Sequence, residues 1–67
     1  MGLTRLEALI RGDKDWTPVD TAFAREELNA KLNQMRSHGF KIKESDLGWQ
    51  IINPITKQIE VTYRLVH

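Results

Sequence analysis

The longest hydrophobic pattern of the chain lies between residues 17 and 39 and repeats with the period of an α-helix. Leu28, Leu32 and Met35 recur at i, i+4 and i+7, so their side chains share one face, and polar residues occupy the opposite face. Gly39 follows the last of these turns and tolerates the positive φ that is common just beyond a helix. The pattern predicts an amphipathic helix that ends at Gly39.

The apolar side chains at the beginning of the same segment would point to a different side of one helix from those at its end. Val19, Ala22 and Phe23 form their own i, i+3, i+4 set, and Phe23 points roughly 140° away from the centre of the later stripe at about 100° per residue. Thr17 is a typical N-cap residue, and the proline after it suits the first helical position. The phase shift predicts two helices joined by a turn at residues 23–25, and a single bent helix of about 20 residues is the alternative.

The N-terminal segment carries the signals of a shorter helix. Thr4 and Glu7 have the spacing of a capping box, and Gly12 provides a stop signal. Between these signals, apolar side chains recur at i, i+3 and i+4, namely Leu6, Leu9 and Ile10. Trp16 stands just before the next helix start, and we expect it to be a core residue that covers this start.

The period changes from 3.6 to 2 after Gly39. Phe40 and Ile42 alternate with lysines, which predicts a half-buried strand. Residues 49–51 and 59–65 alternate in the same way, and the proline-containing turn between them predicts a β-hairpin. The sequence thus predicts an α+β fold of three helices followed by a small antiparallel sheet. The predicted core consists of Leu6, Leu9, Ile10, Val19, Phe23, Leu28, Leu32, Met35, Phe40, Ile42, Trp49, Val61 and Tyr63.

Composition narrows the class of protein. Sixty-seven residues predict one domain over residues 1–67, with a core so small that a homodimer would add stability. The chain has no cysteine, which excludes disulfides and thiolate metal sites and suits a reducing cytoplasm. No apolar run approaches the length of a membrane span, and residues 1–6 lack a signal-peptide or myristoylation pattern. We therefore expect a soluble, cytoplasmic protein without a membrane partner.

The formal charge of +1 is unevenly distributed along the chain. Residues 28–43 contain four cationic and no acidic side chains, whereas residues 1–20, 21–27 and 44–67 each sum to −1. This clustering favours a polyanionic partner, although a solvated helix face produces similar clusters.

The residues at the end of the long helix resemble a known family. The run AKLNQMRSHGFKI at residues 30–42, followed by a hairpin that ends in Tyr63, Arg64 and Leu65, resembles the small winged helix-turn-helix domains of phage and bacterial origin. In that family an Ala-Arg-Ile-x-x-Leu-Arg-x-x-Gly-x-x-Ile run closes the third helix, and Tyr-Arg-Leu ends the wing. The resemblance implies three helices, a β-hairpin wing and a recognition helix at about residues 24–38.

The resemblance and helical geometry together predict a DNA-binding surface. With the apolar stripe inward, the outermost strip of the helix carries carboxamides, whose paired donor and acceptor match adenine in the major groove. Lysines and arginines beside this strip and at the hairpin tip are expected to neutralise phosphates. The predicted contact residues are Arg25, Asn29, Lys31, Asn33, Gln34, Arg36, Ser37, Lys41, Lys43 and Lys57.

Catalytic chemistry has little basis in this sequence. His38 and His67 are its two imidazoles, and no serine, carboxylate or second histidine has the spacing of a triad or a metal site. We therefore expect no enzyme activity, no metal and no cofactor.

Two functions remain after this exclusion. The first is a small protein that binds double-stranded DNA as a dimer, such as a phage or bacterial transcriptional regulator or accessory factor, and reads the major groove with residues 24–38. The second is a protein-interaction module on the same scaffold, which docks through the helix face or through an apolar edge formed by Ile51, Ile52 and Ile55.

Overall fold

A single α-helix packs on one face of a five-stranded antiparallel sheet in the computed structural model, which describes residues 4–20 and 22–67. In chain order the elements are β1 (Arg5–Ile10), β2 (Thr17–Asp20), α1 (Ala24–Ser37), β3 (Lys41–Ser45), β4 (Gly48–Ile52) and β5 (Ile59–Val66). The strand order across the sheet is β2-β1-β5-β4-β3, so β2 and β3 form the two edges.

The predicted winged helix-turn-helix fold with three helices is therefore wrong. The segment predicted as a first helix forms β1, and the segment predicted to start the second helix forms β2. Neither two helices nor one bent helix fills residues 18–38, because α1 begins at Ala24, inside the predicted turn. The strand after Gly39 and the hairpin were predicted correctly, and they correspond to β3 and to the β4–β5 pair.

Long-range pairing explains why the first segment is a strand. Leu6, Ala8 and Ile10 are spaced by two as well as by helical intervals, so the local pattern fits either structure. β1 pairs with β5 over six consecutive positions, from Arg5 opposite Val66 to Ile10 opposite Val61, and with β2 on its other side. A helix of fewer than two turns is marginal by itself, so pairing on both sides outweighs the capping signal.

The second segment is an edge strand, which explains how it accommodates proline. Pro18 cannot donate to a ladder, and edge strands tolerate this because one side of the strand has no partner. After β2, the Asp20 carboxylate accepts hydrogen bonds from the backbone N–H groups of Ala22 and Phe23 at 2.8 and 2.9 Å. Phe23, rather than Thr17, is the N-cap residue of α1.

The core lies between α1 and the sheet. Its buried members are Leu6, Ala8, Ala24, Leu28, Leu32, Ile51 and Tyr63. Partly buried side chains that pack against them are Met35, Phe40, Ile42, Trp49, Val61 and Leu65. The core prediction is wrong for Ile10, Val19 and Phe23, which are 52%, 38% and 67% exposed, and for Leu9, which is half-buried on the other face of the sheet.

The second face of the sheet is covered by no element among the described residues. The accessible surface of the chain is 4912 Å², whereas a compact monomer of this mass exposes about 4,400 Å². An antiparallel sheet with one solvated face accounts for this excess. No helix within the described ranges has both the length and the hydrophobicity to span a membrane. The expectation about targeting signals rests partly on residues 1–3, which lie outside the described residues.

Candidate nucleic-acid interface

The uncovered face of the sheet is defined by the ladder register, since successive side chains of a strand point to opposite faces. Leu6, Ile51 and Tyr63 pack against α1, so their strand neighbours point the other way. We call the uncovered surface the open face and the surface that bears α1 the helix side. The open face consists of Arg5, Glu7, Leu9, Arg11, Trp16, Pro18, Lys41, Lys43, Ser45, Gly48, Gln50, Ile52, Glu60, Thr62, Arg64 and Val66.

Charge is segregated between the two faces. The open face carries five cations, Arg5, Arg11, Lys41, Lys43 and Arg64, and two carboxylates, Glu7 and Glu60. The helix side carries three cations, Arg25, Lys31 and Arg36, and four carboxylates, Asp20, Glu26, Glu27 and Glu44. The open face therefore has a net charge of +3 and the helix side has −1, while the turns sum to −1. The formal +1 of the chain conceals this asymmetry.

Both carboxylates of the open face are paired with arginines. Glu7 is 7% exposed, and its Oε1 accepts from Arg64 Nε at 2.9 Å and lies 2.8 Å from Arg64 Nη2. Arg5 Nε lies 3.5 Å from the second oxygen of Glu7, and Arg11 Nη1 lies 3.6 Å from Glu60 Oε1. Since the acids are already neutralised, they do not offset the two lysines of β3.

Lys41 and Lys43 lie along an edge of the open face. Lys41 is opposite Ile52 and Lys43 is opposite Gln50, and both lysines are exposed. Neither lysine forms a salt bridge within residues 4–20 and 22–67. Edge lysines also discourage pairing with another sheet, which is a structural role that needs no ligand. Among the described residues, no carboxylate is paired with the charge of either lysine.

Trp16 occupies the other side of the open face. The guanidinium carbon of Arg64 lies 4.0 Å from the centroid of the Trp16 ring, so Arg64 is held between the indole and Glu7. Trp16 does not cover the start of a helix as predicted, because it directly precedes β2. Its half-buried ring is part of a Glu7, Arg64 and Trp16 cluster on the sheet surface.

A cavity of about 480 Å³ adjoins this cluster. The residues that line it are Trp16, Arg25, Ser45, Asp46, Leu47, Gly48, Trp49, Arg64, Leu65 and His67. Gly48 and Ser45 face each other in the β3–β4 ladder, and both line the cavity at the end of this hairpin. The cavity therefore joins the open face to the first turn of α1, where Arg25 lies.

The structure separates the residues that the sequence predicted as one DNA-binding site. Arg25, Asn29, Asn33, Gln34, Arg36 and Ser37 are exposed on α1, while Lys31 is half-buried there. Lys41 and Lys43 project from the opposite side of the sheet, and Lys57, with φ of 65°, lies in the β4–β5 turn. A duplex whose major groove held α1 would be on the other side of the molecule from Lys41 and Lys43.

Several predicted contact groups on α1 interact with other helix residues. Lys31 Nζ lies 3.5 Å from Glu27 Oε1, and Arg36 Nη1 donates to Asn33 Oδ1 at 3.3 Å. Ser37 Oγ donates to the carbonyl oxygen of Gln34 at 2.7 Å. These exposed contacts are weak, but they reduce the number of free polar groups that α1 presents to a groove.

Sequence reasoning missed Arg5, Glu7, Trp16 and Arg64 as members of one surface. The signal was present, because Arg5, Glu7 and Leu9 alternate with Leu6 and Ala8 as in a strand. It was not recognised because the segment was predicted to be helical. Within the described ranges, no group of three or more histidine or acidic side chains is placed to hold a metal ion.

Comparison with known proteins does not identify a family for this chain. No protein-family model, curated protein or solved structure matches this chain. Function is therefore inferred from the geometry and charge of the open face.

Proposed function

We propose that this protein binds nucleic acid through the open face of its sheet. The observation that carries the proposal is the net charge of +3 on this face, where Lys41 and Lys43 are unpaired within the described part of the chain. Lysines that neutralise phosphates release bound counterions, which supplies most of the affinity of a nucleic-acid complex. A small DNA-binding or RNA-binding factor in a reducing cytoplasm agrees with a chain that has no cysteine.

One row of side chains crosses the whole open face. Lys43 is opposite Gln50, Gln50 is opposite Thr62, and Thr62 is opposite Leu9. Trp16 continues the row beside Leu9, because it directly precedes Thr17, which is opposite Ala8. Four strand spacings of roughly 4.8 Å give the row a length of about 19 Å. The row offers a cation at one end, the half-buried carboxamide of Gln50 beside it and an aromatic ring at the other end, while Thr62 is buried within the row. These groups complement the phosphates, polar base edges and flat rings of nucleic acid.

Recognition of double-stranded DNA by α1 is the competing arrangement. The outer strip of α1 is exposed, and it carries Asn33, one of the predicted contact residues. Its first turn, however, presents Glu26 and Glu27, and the helix side has a net charge of −1. Carboxylates near phosphates raise the free energy of a complex, so the open face has the stronger support.

Removing the two lysines of β3 tests the proposed face. We expect the double variant K41A/K43A to bind nucleic acid more weakly, and the slope of log Kd against log salt to fall by about 0.7 to 0.9 per lysine, because each lysine neutralises one phosphate. The measurement is a fluorescence-anisotropy titration of labelled single-stranded and duplex oligonucleotides across salt concentration. Lys31→Ala is the matched control, because it removes the same group from the helix side and should leave the slope unchanged.

Two results would contradict the open-face proposal. One is an unchanged salt slope in K41A/K43A, and the other is an equal or larger fall in K31A. The second result would place the nucleic acid on α1. No binding by the wild-type protein at low salt, where screening is weakest, would remove nucleic acid as the ligand altogether.

A protein partner is the second candidate function, and an exposed apolar corner of the helix side favours it. Ile10 and Ile59 are 52% and 39% exposed at neighbouring ends of β1 and β5, where Ile10 is opposite Val61. The apolar edge predicted from the sequence is only partly available, since Ile51 is fully buried while Ile55 is 88% exposed. A second copy of the chain is one partner that such a corner would accept.

The absence of cysteine allows the two functions to be separated in cells. A single cysteine at position 43 or at position 10 can carry a photo-crosslinker without competing thiols. We expect the probe at position 43 to crosslink to nucleic acid and the probe at position 10 not to do so. Protein adducts from position 10, with no nucleic-acid adduct from position 43, would favour the protein-interaction function.

A further inference from the structure

We infer that the cavity beside Trp16 receives an unpaired nucleobase, so that the preferred ligand of the open face is single-stranded nucleic acid. The inference rests on the proposed function and specifies its ligand. It depends on the Trp16 ring, the shape of the cavity and the position of the cavity relative to Lys43.

The Trp16 ring is already oriented for stacking. Arg64 lies over the ring at 4.0 Å, and Glu7 fixes the guanidinium with contacts of 2.9 and 2.8 Å. A ring that is ordered before binding loses less conformational entropy when a base stacks on it or on the guanidinium. Bases within a duplex are stacked on each other, so an unpaired base is the form that can enter such a site.

The cavity matches the size and chemistry of one nucleotide. Its volume of about 480 Å³ falls within the range of small-ligand sites, roughly 300 to 1,000 Å³. Trp16 and Trp49 supply apolar surface, and the carboxylate of Asp46 can accept a hydrogen bond from an exocyclic amine. Arg25, predicted as a DNA contact on the helix, lines this cavity, where its guanidinium can reach a phosphate.

The cavity and the lysines lie along one path. Ser45 lines the cavity, and Lys43 is two residues away on the same strand and the same face, a distance of about 7 Å. A strand with one base in the cavity therefore places its neighbouring phosphates beside Lys43 and then Lys41. Stacking at Trp16 and phosphate contacts at β3 would act on the same ligand.

Replacing Trp16 with alanine tests the inference. Three probes are compared, namely a short single-stranded oligonucleotide of mixed sequence, the duplex of the same sequence, and an oligomer of the same length that has the same phosphates but no bases. We expect W16A to weaken binding of the single strand by about 5- to 100-fold, because each stacked base contributes on that scale. Binding of the abasic oligomer should be unchanged, and W16F should retain most of the affinity. Phe23→Ala, which removes an aromatic ring 67% exposed outside the open face, is the matched control and should have no effect.

A second measurement covers the case in which W16A does not fold. In the W49F variant, Trp16 is the remaining tryptophan, and its fluorescence should be quenched by the single strand but not by the abasic oligomer. Three results would each overturn the inference. The first is the absence of this quenching, and the second is an equal loss of affinity for the single strand and the abasic oligomer in W16A. The third is duplex binding at least as tight as single-strand binding. If the wild-type protein binds none of the three probes at low salt, the proposed function itself fails.

Discussion

Replacing Gly48 with alanine should destabilise this protein more than any other single change to one of its described glycines. Gly48 begins β4 with φ of +130°, and a Cβ at this position would lie 2.1 Å from the carbonyl oxygen of Tyr63 and 3.1 Å from its carbonyl carbon. The obstacle is the backbone of β5, the central strand of the sheet, so it cannot move aside as a flexible side chain would. We expect a loss of at least about 3 kcal/mol, from the disfavoured φ and the clash together.

Thermal and urea denaturation followed by circular dichroism would measure this loss. A small domain has only about 5 kcal/mol of stability, so G48A should retain about 2 kcal/mol or less and should unfold at a much lower temperature and urea concentration than the wild type. Gly39→Ala is the matched control, because Gly39 has φ of +91° but no atom of the described residues lies within 4 Å of the point that an alanine Cβ would occupy. This control should lose only about 1 to 2 kcal/mol from its backbone conformation. Equal losses in G48A and G39A would show that β4 and β5 are not so close at Gly48.

Truncating Leu32 to alanine in the wild-type protein should also remove a large part of its free energy of unfolding. Leu32 is 6% exposed in the middle of α1 and belongs to the core between the helix and the sheet. Loss of its buried methyl and methylene groups, with the cavity left behind, costs about 2 to 5 kcal/mol. Seven apolar residues are buried in the core among residues 4–20 and 22–67, so few neighbours are available to fill the space.

An exposed leucine provides a control that separates the effect of burial from the effect of the leucine-to-alanine change itself. Leu47→Ala deletes the same atoms at a position that is 67% exposed in the β3–β4 turn, and it should change the free energy of unfolding by about 0.5 kcal/mol or less. The two variants can be compared in the same urea titration, where the midpoint should fall steeply for L32A only. A midpoint for L32A near that of L47A would show that α1 does not pack on the sheet through Leu32.

The two stability predictions also bear on the proposed interface. Gly48 lines the cavity, and at this position the backbone of β4 lies directly against the backbone of Tyr63 and Arg64 in β5. The same glycine is therefore needed for the fold and for the shape of the candidate site. Variants of Lys41, Lys43 and Trp16 are better probes of binding, because these residues lie outside the buried core.

The sequence alone determined the elements whose hydrophobic period fits only one kind of secondary structure. The apolar stripe of Leu28, Leu32 and Met35 predicted the later helix, because several turns of one period cannot be confused with a strand. The alternation after Gly39 predicted β3, and the proline-containing turn predicted the β4–β5 hairpin. The run of four cations without an acid in residues 28–43 also came from the sequence, together with its indication of a polyanionic partner.

Tertiary structure decided the two N-terminal strands and the location of the candidate site. The six residues of β1 fit a helix and a strand equally well, and pairing with β5 and β2 selects the strand. Which face of the sheet is covered depends on the path of α1, and no local pattern contains that information. Because α1 covers the face of Leu6 and Tyr63, Lys41 and Lys43 point away from the helix and share a surface with Arg64 and Trp16. Periodicity is a property of neighbouring residues, whereas the grouping of charges on a face is set by strands that are distant in the chain.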